Sequence, residues 1–142
     1  MGAKITIEID YVEKEKKEGL EPNGGQERLS DYARCFDESC ASWHKDAEWN
    51  LMFLRQQEVY ANDLLKVRGF IFLNEIYEML GLPRSKAGQI VGWVYNLDNP
   101  TGDNYIDFGL YTKRNKDFVN GYERIAWLDF NVDGIIIDKV LS

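Results

Sequence analysis

Residues 49–95, WNLMFLRQQEVYANDLLKVRGFIFLNEIYEMLGLPRSKAGQIVGWVY, repeat apolar side chains at helical spacing, stop, restart, and then change to strand-like residues. The spacing predicts a long helix from about 46 to 66. Phe53, Tyr60, Leu64 and Val67 form one apolar stripe, and Leu51, Leu54, Ala61 and Leu65 a neighbouring one, with Arg55, Gln56, Gln57, Glu58 and Asp63 filling much of the remainder. Gly69 interrupts, and a second helix from Phe70 places Phe72, Leu73, Ile76, Tyr77 and Leu80 on its buried side. Gly81-Leu82-Pro83 then stops it: glycine tolerates the left-handed position, leucine packs back, and proline cannot continue a helix. The helical pair therefore spans 46–82.

The flanks read differently. Over residues 4–12, Ile5, Ile7, Ile9 and Tyr11 alternate with Lys4, Thr6, Glu8 and Asp10, the period of a half-buried strand. Residues 13–28, EKEKKEGLEPNGGQER, are too charged and too rich in turn formers to bury much, and read as a mobile loop. Residues 29–45 allow a short helix through Tyr32 and Phe36. The part from 89 to 142 is strand-rich. Val91, Trp93 and Tyr95 share a side, 96–104 is turn chemistry, and Ile106, Phe108 and Leu110 alternate inward. One helical turn around Phe118 fits 113–121. Ala126, Leu128, Phe130 and Val132 alternate up to Asp133-Gly134, a type I′ turn signal, after which Ile135 and Ile137 return on the same face. The expectation is one α+β domain over 1–142, with two central helices packed on one face of a small antiparallel sheet ending in a β-hairpin.

Several classes of function fit this chain poorly. No apolar run approaches the ~18 residues of a membrane span, and the alternating N-terminus is unlike a secretory signal. Two cysteines make no disulfide framework. A cytoplasmic location is the expectation. With 24 acidic against 17 basic residues the net charge is −7, which disfavours direct nucleic-acid binding because that depends on neutralising phosphates. The only basic cluster is Lys113, Arg114 and Lys116. Net charge speaks first to solubility, and second to attraction toward a basic surface, including the nucleic-acid groove of another protein.

The candidate chemistry is sparse. Asp129, Asn131, Asp133 and Gly134 match the first half of a calcium loop, but Val140 stands where the closing bidentate acid belongs. Cys35, Cys40 and His44 supply three zinc ligand types without a fourth, so no metal or other cofactor is expected. His44 is the only imidazole, and the chain has no nucleophile elbow, P-loop or dinucleotide fingerprint, so enzymatic activity is not the expected class. In the expected hairpin Asp129 lies opposite Asp138, with Asp107 on the same outer face. Those three acids would form a partner-binding patch, or hold a divalent metal if the protein were a metal-dependent enzyme. Glu8 and Asp10, on the N-terminal edge strand, are the other candidate partner contacts, and edge strands also offer a route to oligomers.

The long segment above (from Asn50), GDNYIDFGLY and FVNGYERIAWLDFNVDG together resemble a family of small proteins from phages, prophages and other mobile elements of Gram-positive gut bacteria. The resemblance covers 49–134 and brings no activity or catalytic residue with it. It implies a protein acting inside a bacterial host cell or as part of a virion. With the charge, it leads to the expectation of a small acidic protein that inhibits or modulates a host protein, such as a defence nuclease, by surface contact. A virion or assembly component is the alternative.

Overall fold

A computed structural model of the protein describes residues 28–141. The expected strand over 4–12, with Glu8 and Asp10, and all but the last residue of the expected loop over 13–28 lie outside the described residues. The fold is α+β. In chain order the elements are β1 (Arg34–Phe36), α1 (Ala47–Arg68), β2 (Phe70–Phe72), α2 (Leu73–Met79), β3 (Val91–Val94), α3 (Lys116–Val119), β4 (Ala126–Leu128), β5 (Gly134–Ile135) and α4 (Ile137–Leu141). Short 3₁₀ turns precede β3 and α3.

The long helix forms where its spacing predicts. The Asp46 carboxylate accepts the Glu48 N–H at 3.0 Å as N-cap, and Gly69, at φ +93°, ends the helix by donating its N–H to the Leu65 carbonyl. The second helix starts later than expected. Residues 70–72 pair with β3 as a strand, because the Gly69 turn reverses the chain beside Val94, and α2 begins at Leu73. The Glu75 carboxylate, reaching back to the Phe72 N–H at 3.0 Å, satisfies one of the free donors at that start. The stop at Gly81-Leu82-Pro83 is as expected: Gly81 has φ +78°, and the Leu82 N–H reaches the Tyr77 carbonyl at 2.7 Å.

The strands form two antiparallel sheets rather than one. β1 pairs with β4, and β3 lies between β2 and β5. A Cβ on Gly92, in the middle strand, would stand 2.1 Å from the Ile71 carbonyl oxygen, so only glycine lets the neighbours close in. The expected hairpin across Asp133-Gly134 does not form. β4 is taken by β1, in the region where a short helix was expected, and β5 returns against β3, with Val91 opposite Ile135. Past Gly134 the inward parity therefore slips by one: Ile136 is fully buried and Ile135 is 60% exposed. Ile136→Ala is expected to cost about 2–4 kcal/mol, and Ile135→Ala under about 0.5 kcal/mol, in urea denaturation. The hairpin reading predicts the reverse order.

α1 lies against β2 and α3. The core is aromatic: Trp93, Tyr77, Phe36, Phe108 and Phe118 are all fully buried. The Tyr77 and Phe108 rings each meet Phe130 edge-on, and the Tyr77 hydroxyl donates to the Tyr32 carbonyl at 2.7 Å. Ile106, Phe108 and Leu110 point inward as their alternation predicts, although 105–111 contains no assigned strand.

Candidate functional site

The hairpin expected to set Asp129 opposite Asp138, with Asp107 on the same outer face, is absent. Asp138 sits in α4, beyond the sheet, because the chain leaves β5 after two residues. Asp129 accepts both the N–H and the hydroxyl of Ser30, and Asp107 accepts the Gly109 N–H at 2.8 Å. Each of the latter two carboxylates organises a nearby loop, and the three acids do not stand together as metal ligands. The half-matched calcium residues are likewise committed elsewhere. Asn131 Oδ1 accepts from the Trp93 indole at 2.9 Å and the Asp107 N–H at 2.7 Å, and Asp133 accepts the Val94 N–H.

Asn131 belongs to a set of asparagines that replace missing ladder hydrogen bonds. Asn62, on α1, donates to the Ile106 carbonyl and accepts the Ile106 N–H. Buried Asn115 accepts the Trp127 N–H and donates to the Trp127 and Gly109 carbonyls at 2.7 and 3.0 Å. Asn74 holds both backbone groups of Ser85, and Asn50 both of His44. An amide side chain presents the same donor and acceptor as a peptide group, so it can satisfy a buried loop where no strand lies alongside.

Two half-buried carboxylates have pKa values above the usual carboxylate range. Burial raises Glu58, with a further push from Asp107, against the opposing pull of the Phe108 N–H it accepts at 2.8 Å. Burial likewise raises Asp133, with Asp103 adding to it. A raised folded-state pKa means that the native chain holds its proton longer than the unfolded chain, so stability falls as pH rises through that range. Glu58→Gln keeps an acceptor for Phe108 and removes the buried charge. It is expected to gain on the wild type from about pH 4 to pH 7 in parallel denaturation curves.

Cys35 lies in β1 opposite Trp127, and Cys40 is buried, which pushes its thiol pKa up. His44 packs its ring 5.4 Å from that of Trp49. Among the described residues no three His, Cys, Asp or Glu side chains stand together as metal ligands. A shallow polar cleft beside the start of α1 is lined by Lys45, Glu48, Tyr122 and Arg124. Lys113 and Lys116 are exposed around the turn into α3, with Arg114 half-buried between them.

The largest departure from a simple amphipathic helix is on α1 itself. Its core-facing side buries Ala47, Asn50, Leu54, Ala61 and Leu65. Tyr60 and Val67, expected in the inner stripe, instead face outward at 56% and 85% exposure. Trp49, Met52 and Val59 join them there, each more than half exposed. At 100° per residue these five fall within one arc, with Gln56 and Asp63 between them. Glu48, Arg55 and Lys66 flank the arc, so α1 is apolar on two faces, only one of which the core uses. Trp49, Met52 and Val59 were absent from the sequence-based candidates. The available signal was too many apolar residues, in too wide an arc, for one buried face.

No helix among the described residues is long and apolar enough to cross a membrane. No curated protein and no solved structure matches the chain. A family of unknown function, DUF6353, matches residues 3–140, nearly the whole sequence, and the protein belongs to that family.

Proposed function

We propose that the protein is a small acidic binding protein of a phage or mobile element that inhibits or modulates a host protein by surface contact. The outer face of α1 is its principal contact surface. The observation that carries this reading is the second apolar face of α1. Trp49, Met52, Val59, Tyr60 and Val67 stand in water on a rigid helix whose other side already fills the core. Exposed apolar surface with an aromatic residue at one end and another near its centre, as Trp49 and Tyr60 are here, is characteristic of protein contact sites. The net charge of −7 supports a basic partner surface, such as the nucleic-acid groove of a defence nuclease, and the mobile-element resemblance supplies the host context. The acidic sheet face and its metal-dependent variant have no place in this reading, since the three acids do not converge.

The test pairs capture from host extract with inhibition assays against defence nucleases, using the wild type and a Val59→Glu variant. Capture and inhibition that both disappear in the variant support the reading. Capture that Val59→Glu leaves intact removes the α1 face from it. A second reading, an assembly or virion component, is favoured by the spacing of the same stripe, which resembles the seam of a helix pair.

A further inference from the structure

We infer that the partner seated on the outer face of α1 is a second copy of this chain, docked as an antiparallel helix pair about a two-fold axis. The inference rests on the reading of that face as a contact surface and identifies what occupies it. Trp49 and Val67 are 18 residues apart, about five turns at 3.6 residues each, so they mark the two ends of one straight line along the helix. An axis midway between them, level with Glu58, sets Trp49 of one protomer on Val67 of the other, and Gln56 on Tyr60.

The flanking charges select this orientation. A two-fold axis normal to an antiparallel helix pair brings the same flank of each helix together, in opposite directions along the chain. Exposed Glu48 then meets Lys66 of the second copy, twice. In a parallel pair the two-fold axis runs along the helices and sets the flanks that carry Glu48 and Lys66 on opposite sides of the seam, so these ion pairs are lost. The helix dipoles also oppose a parallel pair and favour the antiparallel one.

The area suffices. Five side chains of these sizes, each more than half exposed, offer on the order of 500 Å² per protomer. Two copies reach roughly 1,000 Å², the lower bound for a specific interface. A host protein that docks on this face would then do so in competition with the second copy.

Sedimentation equilibrium of the full chain over a concentration series tests this. The expected species is a reversible dimer of twice the 16.5 kDa chain mass. Val59→Glu should weaken it by about 30-fold or more. Lys66→Glu should weaken it too, and the double swap Glu48→Lys with Lys66→Glu should restore it. Far-UV circular dichroism verifies that each variant remains folded. A dimer that ignores Lys66→Glu, or a double swap that fails to restore it, overturns the antiparallel pairing. A wild type that is monomeric at every concentration overturns the second copy. If Val59→Glu nevertheless abolishes capture of a host protein, the contact-face reading survives that failure, and if it does not, both fall.

Discussion

Asn115→Leu is expected to lower the unfolding free energy by about 3–5 kcal/mol, read as a shift of the urea midpoint at unchanged slope. Leucine matches asparagine closely in size, so packing is roughly conserved and the loss isolates hydrogen bonding. Three backbone groups depend on this amide: the Trp127 N–H, the Trp127 carbonyl and the Gly109 carbonyl. Asn115 is 1% exposed, so water cannot take its place. Each buried group left without a partner costs roughly 1–3 kcal/mol, which places the total well above that of an ordinary surface change. The control is Asn99→Ala on the exposed 96–104 turn, expected to change stability by less than about 0.5 kcal/mol. If Asn115→Leu were as mild as the control, Asn115 would not be replacing a strand there.

Trp93→Ala should cost a comparable amount, about 3–5 kcal/mol, by a different route. Trp93 is the largest fully buried side chain and sits in the middle strand of the β2–β3–β5 sheet. Removing the indole opens a cavity, and its Nε1 also donates to Asn131 at 2.9 Å. Trp93→Phe separates the two contributions. It retains most of the apolar contact and loses the hydrogen bond, but Asn131 Oδ1 still accepts the Asp107 N–H. A cost of about 1–2 kcal/mol is therefore expected for phenylalanine, clearly below that for alanine. Equal losses for the two variants would mean that the Asn131 link, rather than ring burial, dominates at this position.

The sequence was legible where a local rule fixes the outcome. α1, the Gly81-Leu82-Pro83 stop, the inward parity of Ile106, Phe108 and Leu110, and the buried turn around Phe118 all follow from spacing or turn chemistry. What escaped depended on partners distant in the chain. Phe70–Phe72 has the composition of a helix start, yet becomes a strand because Val91–Val94 lies beside it. Asp133-Gly134 carries a hairpin signal, but Ala126–Leu128 is already paired with Arg34–Phe36, and the segment after Gly134 goes to β3. The chain leaves β5 after two residues and turns into α4, so Asp138 has no place opposite Asp129 in a hairpin. Asn62 and Asn115, which no spacing or turn rule singles out, prove to be substitutes for neighbouring strands, a role that requires knowing which backbone groups would otherwise be buried unpaired. The outer stripe of α1 was partly visible: Tyr60 and Val67 read as apolar stripe residues facing the core, while Trp49, Met52 and Val59 were not assigned to a face.

Association of the protein is expected to run through that stripe. Hydroxyl-radical footprinting of the full chain, dilute and then associated with itself or with a captured partner, reads this residue by residue. Trp49, Met52 and Tyr60 should lose reactivity on association. Tyr111, outside α1 and 60% exposed, should keep its own. Unchanged reactivity at Met52 and Tyr60, with protection appearing elsewhere, would contradict the account.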